Sequence, residues 1–169
     1  HVERKHAGKS RGYHSGDAVL MRRTVVEATK RGVAVGAHPG YPDPQGFGRR
    51  DMAATPKEVT AYVIAQIGAL DAFCRAAGTR LRYVKAHGAL YNRAVRDAAI
   101  ADAIAEAIRL ADASLILLGL PGTELIAAAE RDGLRSAREG FADRGLCPTG
   151  VSCHAACLAA RSPILGPRP

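Results

Sequence analysis

Two histidines stand at the ends of two short apolar runs, and each is closely followed by a glycine. Residues 33–37 lead into His38, and residues 81–84 lead into Lys85 and His87. Such runs are typical of buried strands in a parallel sheet. Because parallel strands end at one common edge, where α/β folds hold their active sites, we expect both imidazoles to line one pocket. Imidazole can give or take a proton near neutrality, which suggests acid–base chemistry, although a histidine at a strand end can also be a hydrogen-bonded structural residue.

Further polar side chains follow the same two runs. Lys85 lies at the end of an apolar run, where a lysine needs a partner or an anionic ligand. Arg49 and Arg50 lie in the glycine- and proline-rich segment 39–54, and their guanidinium groups suit carboxylates and phosphates or simply face solvent. The remaining candidates near these ends are Tyr41, Asp43 and Tyr91.

A third polar group precedes the first predicted helix, in the sequence Gly12-Tyr-His-Ser-Gly-Asp. His14 and Asp17 are three residues apart at a helix start, so both could face one cavity. Alternatively, Asp17 only caps the helix, a contribution of about 1 kcal/mol. The chain has no GxGxxG, P-loop, GxSxG or HExxH motif, so the sequence does not support a standard phosphate loop.

Helical and extended patterns alternate along the chain. The apolar spacing predicts helices over residues 17–30, 55–77, 97–110 and 122–131, and strands over residues 33–37, 81–86, 115–118 and 134–139. Residues 39–54 form a loop whose length is typical of functional loops. Alternating strands and helices predict parallel βα units, and four of them form a small open sheet or about half of a barrel.

Composition limits the class of protein. The 169 residues carry a formal net charge of +8, but much of the excess lies in the two ends, and there is no basic-aromatic stripe. We therefore expect no nucleic-acid partner. No uninterrupted apolar run reaches about 18 residues and the first residues do not form a signal peptide, so we expect no membrane partner and a cytoplasmic location.

The cysteines allow two interpretations. Cys74 falls within a helical pattern and is expected to be a small buried apolar side chain. Near the chain end, Cys147, Cys153, His154 and Cys157 could bind zinc, but they lack paired Cys-x2-Cys motifs, and an accidental grouping is the alternative.

Several blocks together resemble the LamB/YcsF family of 5-oxoprolinase A subunits. In order, they are Gly12-Tyr-His-Ser-Gly-Asp, Val35-Gly-Ala-His-Pro-Gly-Tyr-Pro-Asp, Gly46-Phe-Gly-Arg-Arg, Gln66-Ile-Gly-Ala-Leu, Lys85-Ala-His-Gly-Ala-Leu-Tyr-Asn and Phe141-Ala-Asp-Arg. The resemblance covers residues 12–144, which we expect to form one βα domain. Residues 1–11 are an atypical N-terminal segment, and residues 145–169 are an atypical tail that we expect to be disordered.

The resemblance implies an α/β fold, a partial parallel βα barrel of the glycoside hydrolase/deacetylase type with about four βα units. The strands with which the family begins are not recognisable here, and neither is its closing segment after Arg144, so we expect a barrel that cannot close. Ala86 also replaces the proline that is usual in the family. It also implies a subunit of a bacterial complex, with partner subunits B and C, that opens 5-oxo-L-proline to L-glutamate using ATP.

For such a reaction, an acid–base pair and cationic groups are needed. We expect His38 and His87 to be the acid and base, with Asp17 and Asp43 orienting or activating them. Lys85 and Arg49 are expected to bind anions. The other candidates for substrate or phosphate binding are Tyr41, Tyr91 and Arg144.

Two other interpretations remain open. A metal-dependent hydrolase of the same barrel type could hold a divalent ion on His14, Asp17, His38 and His87. Alternatively, the chain is an inactive, truncated remnant.

Overall fold

The computed structural model describes residues 9–11 and 17–140 of the chain. Within them, five parallel strands form one sheet in the order of the sequence. The strands are β1 (Lys9–Arg11), β2 (Val35–His38), β3 (Leu81–Val84), β4 (Ile116–Gly119) and β5 (Arg135–Arg138). The helices are α1 (Ala18–Lys30), α2 (Pro56–Ala76), α3 (Gly88–Ala94), α4 (Ala98–Asp112) and α5 (Glu124–Arg131). The predicted parallel α/β class is confirmed, and the sheet of the described residues is open, with β1 and β5 at its edges.

Two elements were not predicted. The sequence shows no strand before residue 33, yet β1 pairs in parallel with β2, and Arg11 lies opposite His38. The expectation that no strand precedes residue 33 is therefore wrong. Helix α3 has seven residues, too few for its apolar spacing to stand out as a separate helix.

The start of α2 follows directly from its sequence. The Thr55 hydroxyl accepts a hydrogen bond from the Glu58 amide (3.3 Å), and the Glu58 carboxylate accepts one from the Thr55 amide (2.8 Å). Pro56 occupies the first turn, where a missing N–H has no cost. This is the capping box that the sequence predicts.

The core lies where α2 and α4 pack on each other. Ile100, Ile104 and Ile108 recur every fourth residue on α4 and are fully buried, as their spacing predicts. On α2, Val63 and Leu70 are buried beside them. By length and composition alone α2 could cross a membrane, but a buried apolar face is typical of the central helix of an α/β core.

Cys74 lies on the buried face of α2 with an exposed fraction of 0%. The predicted burial is confirmed. Burial raises the pKa of its thiol to about 11, since the thiolate would lose its hydration. Cys147, Cys153, His154 and Cys157 lie outside the described residues.

Candidate functional site

The carboxyl edge of the sheet gathers the polar residues. His38 ends β2, Lys85 follows β3, and Glu139 follows β5. The Lys85 amide donates to the Ala37 carbonyl at 3.0 Å, so the β2–β3 pairing continues to this edge. In parallel sheets this is the edge where ligands bind.

His38 and His87 meet in a chain of hydrogen bonds. Nδ1 of His38 lies 2.7 Å from the Lys85 carbonyl oxygen, and Nε2 of His38 lies 3.0 Å from Nδ1 of His87. At the other end, Nε2 of His87 lies 2.8 Å from the Phe47 carbonyl oxygen. The rings are nearly perpendicular, with centroids 4.7 Å apart. The structure thus brings the two predicted histidines together.

The hydrogen-bond partners of these rings determine which ring nitrogens carry a hydrogen. A carbonyl oxygen only accepts, so Nδ1 of His38 and Nε2 of His87 must carry hydrogens. In two neutral rings, the inner nitrogens would then present lone pairs to each other across 3.0 Å. One shared proton turns this contact into a hydrogen bond, and the pair then carries one positive charge. The arrangement therefore suits the uptake and release of a single proton.

Loop 39–54 supplies the Phe47 carbonyl at one end of this series of hydrogen bonds. A close backbone contact between the loop and α3 holds it there. The Gly48 carbonyl accepts a hydrogen bond from the Ala89 amide at 2.9 Å. A Cβ at Gly88 would lie 2.3 Å from that carbonyl oxygen, and Gly88 has a φ of +56°, so glycine is required there. Phe47, whose carbonyl faces His87, has a φ of +57°, which is uncommon for a bulky residue.

The start of the loop is held by Gln66. Its side-chain amide accepts from the Gly40 amide at 3.1 Å and donates to the Gly40 carbonyl at 3.0 Å, as a neighbouring strand would. Gln66 is buried in α2. The sequence shows Gln66 only as part of a block that resembles the family, and its contact with the loop was not predicted.

Asp43 lies inside the loop and is bound by its neighbours. Arg50 donates to both carboxylate oxygens, and the Gly46 amide donates to one of them at 2.9 Å. Hydrogen bonds from Arg50 lower the pKa of Asp43 to about 2, against the smaller opposing effect of burial. These contacts hold the loop together, and the catalytic role of Asp43 stays a prediction.

Two other predicted binding residues of this loop differ in exposure. Tyr41 is fully buried, and its hydroxyl lies beside the Arg93 guanidinium without a hydrogen bond of normal geometry among the described residues. Burial raises the pKa of Tyr41. A substrate could reach Tyr41 only if the loop moved. Arg49 is exposed, with its guanidinium 5.8 Å from the centre of the Phe47 ring.

Arg93 ties α3 to the far end of the loop. It donates to the carbonyls of Met52 and Ala54, each at 3.2 Å, and to Asp97 at 3.0 Å. The sequence provides no signal for this residue, since an arginine on a short helix is ordinarily solvated.

Lys85 and Tyr91 meet at a carboxylate that was not among the predicted site residues. Lys85 forms an ion pair with Glu139, and their side chains are 14% and 13% exposed. The Tyr91 hydroxyl donates to the other Glu139 oxygen at 2.5 Å. Burial, and then Glu139, raise the pKa of Tyr91, so this phenol stays protonated. The position of Glu139 at the end of a predicted strand was the one available signal.

Asp17 caps α1, as one of its two interpretations predicts. Its carboxylate accepts from the Leu20 amide at 2.8 Å, and the residue is exposed. His14 and Arg144 lie outside the described residues. Within 9–11 and 17–140, no group of three or more histidine, cysteine or acidic residues could hold a metal ion, so the four-residue metal set depends on His14.

Comparison with known proteins identifies the family. A sequence model of the LamB/YcsF family matches residues 7–158, a wider range than the predicted 12–144. The 5-oxoprolinase A subunit of Geobacillus kaustophilus is 59% identical over 133 residues, which cover 79% of this chain and 52% of that protein. The corresponding protein of Methylococcus capsulatus is 57% identical over 140 residues, which cover 83% of this chain and 54% of that protein.

A solved structure is also similar. The lactam utilization protein of Thermus thermophilus superposes with a TM-score of 0.83 at 46% identity, over 88% of this chain and 60% of that one. The chain thus spans about half the length of the curated relatives it matches. The match over most of its residues shows that this chain belongs to the LamB/YcsF family.

Proposed function

We propose that this chain acts as part of the A component of a 5-oxoprolinase. With subunits B and C, it would open 5-oxo-L-proline to L-glutamate at the expense of ATP, in the cytoplasm. The similarity to proteins named as 5-oxoprolinase components supports this assignment. The observation that carries it is the pair of imidazoles in contact at the carboxyl edge of the sheet.

The reaction needs a proton to move in two directions. A lactam is a resonance-stabilised amide, so water must lose a proton as it attacks, and the ring nitrogen must gain one as it leaves. His38 and His87 suit both steps, because the pair can take one proton from the attacking water and return one to the ring nitrogen as it leaves. ATP would supply the phosphoryl group that activates the amide oxygen. The described residues include no standard phosphate loop, and we assign the nucleotide to none of them.

The experiment measures L-glutamate formed from 5-oxo-L-proline and ATP by this chain in complex with its partner subunits. We expect His38→Ala and His87→Ala to lower turnover by about 10²- to 10⁴-fold, the usual contribution of a general acid or base. Asp102→Asn is the matched control, because it removes an exposed ion pair with Arg131 between α4 and α5.

Two results would contradict the proposal. Full turnover by His87→Ala would remove His87 from the chemistry, and an unsubstituted complex that forms no glutamate would refute the activity itself.

One observation favours a metal-dependent hydrolase as a second candidate. The outer ring nitrogens of His38 and His87 contact carbonyl oxygens, and the inner ones converge. Metal-binding histidines are oriented by backbone carbonyls in this way. Metal analysis after mild purification discriminates, since about one zinc or manganese ion per chain supports the hydrolase and its absence supports acid–base chemistry alone.

A further inference from the structure

The ion pair between Lys85 and Glu139 joins two strands that are not neighbours. Lys85 follows β3 and Glu139 follows β5, so the pair reaches across the carboxyl end of β4. The Glu139 amide donates to the Gly119 carbonyl at 3.0 Å, which fixes the backbone of Glu139 to the last residue of β4. The carboxylate is therefore set by the sheet itself.

Tyr91 binds the same carboxylate through its other oxygen. Its hydroxyl donates to one oxygen of Glu139 while the Lys85 ammonium binds the other. Since burial keeps this phenol protonated, Tyr91 acts as a permanent donor. Glu139 is thus restrained by two side chains and by the end of a strand.

This arrangement changes what Lys85 can recognise. A buried carboxylate in contact with the ammonium cancels most of its field, so the pair attracts a second anion weakly. An ammonium nevertheless carries three N–H groups and can serve more than one acceptor. The amide oxygen of the substrate suits such a donor better than a phosphate does. It is neutral when the substrate binds, and it gains negative charge only later, when the C–O bond breaks and it leaves as part of the phosphate.

Lys85 is also connected to the histidine pair. Its backbone carbonyl accepts the hydrogen bond from His38, while its side chain is fixed by Glu139. Lys85 therefore sets two positions at once. Its ammonium is a hydrogen-bond donor in a fixed place, and its backbone carbonyl orients the His38 ring.

We propose that Glu139 is a positioning residue, which holds the Lys85 ammonium as a hydrogen-bond donor for the amide oxygen of the cyclic substrate. This inference rests on the proposed function for the identity of the substrate. Lys85 then contacts the lactam carbonyl, and Tyr91 acts only through Glu139.

The kinetic test uses the complex with its partner subunits and the variants Glu139→Gln, Lys85→Met and the double variant. We expect Glu139→Gln to lower kcat roughly 10- to 100-fold, as misplacement of a reacting group does. Because Glu139 acts through Lys85, the double variant should be no slower than Lys85→Met. KM for ATP should stay unchanged in all three, and Glu139→Asp should recover part of the loss.

Opposite results would overturn the inference. They are an unchanged kcat in Glu139→Gln, losses that multiply in the double variant, or a raised KM for ATP in Lys85→Met, which would make Lys85 a phosphate ligand. Asp102→Asn again serves as the control for removal of an ion pair.

A second measurement does not depend on turnover. An amine-acylating reagent, with the modified lysines located by mass spectrometry, compares Lys85 with the exposed Lys57. We expect Lys85 to react several-fold more slowly than Lys57 in the unsubstituted protein, and the difference to shrink in Glu139→Gln. Equal rates in the unsubstituted protein would show that Glu139 does not hold Lys85. If the complex forms no glutamate, the proposed function fails and this comparison still tests the ion pair.

Discussion

His38 and His87 are coupled, because a proton taken by one ring changes the hydrogen bond of the other. The two rings therefore share one proton as a unit. The carbonyls of Lys85 and Phe47 at the two ends set which nitrogens take part. Removing either ring therefore removes the shared proton, which is why we expect similar losses from both alanine variants.

The sequence predicts part of this site. Two strands that end in histidine place His38 and His87 at one edge, and the structure finds them in contact. The Phe47 carbonyl and the Glu139 carboxylate could not be predicted, because their positions depend on residues distant in sequence, such as Gly48 against Ala89 and Glu139 against Gly119. Hydrophobic periodicity carries no information on such contacts.

At the same scale, Asp43 should contribute to stability in a pH-dependent way. Its pKa is lowered from 3.8 to about 2 in the folded chain, so folding favours the charged form. The stabilisation is complete above about pH 4 and is lost as the pH falls towards 2. We expect Asp43→Asn to unfold at lower urea concentration near pH 5, with the difference from the unsubstituted chain shrinking towards pH 2.

The control for this titration is Asp71→Asn, which removes an exposed ion pair with Arg75 within α2. Exposed pairs of this kind contribute little. A difference between Asp43→Asn and the unsubstituted chain that is constant from pH 5 to pH 2 would disprove the role of the Asp43 charge.

At the scale of elements, loop 39–54 is held by side chains at its start, its middle and its end. Gln66 of α2 binds its start, Arg93 of α3 binds its end, and the ion pair of Asp43 with Arg50 closes its middle. A loop with this many fixed points presents the Phe47 carbonyl to His87 in one position. The sequence predicts the loop from its prolines and glycines but not the side chains that hold it.

The contact of the loop with α3 predicts a large effect of Gly88→Ala. The new methyl group would overlap the Gly48 carbonyl, and alanine is strained at a φ of +56°. We expect a loss of about 2 kcal/mol or more in the free energy of unfolding. Chemical denaturation measures it.

Gly68→Ala is the matched control, because Gly68 lies on an exposed face inside α2 with nothing within 4 Å of a new Cβ. Replacing a glycine inside a helix should stabilise the chain by about 0.5–1 kcal/mol. Equal effects of the two alanines would contradict a close approach at Gly88.

The whole molecule is a sheet whose strands lie in the order of the chain, covered by helices that pack mainly as α2 against α4. The alternation of patterns predicts this layout well, because each βα unit is local in sequence. The strand β1 was missed because Lys9-Ser-Arg has no apolar residue, and only its pairing with β2 makes it a strand.

Burial in the α2–α4 core predicts how much each substitution on α4 changes the free energy of unfolding. Ile104→Ala should lower the free energy of unfolding by about 2–5 kcal/mol, and Ile104→Val by about 0.5–1.5 kcal/mol, because Ile104 is fully buried. Leu110→Ala, on the exposed side of the same helix, should change it by less than about 0.5 kcal/mol. We expect one cooperative transition in each case. A chain without such a transition would instead fit the inactive remnant.

The burial of Cys74 makes the reactivity of its thiol a measure of how often the core opens. A thiol that is sealed inside α2, with a pKa of about 11, offers a reagent neither access nor thiolate. Alkylation of this sulfur must wait until the domain opens. The rate at which iodoacetamide modifies Cys74 in the native protein therefore measures how often the core opens, without denaturant and without an activity assay.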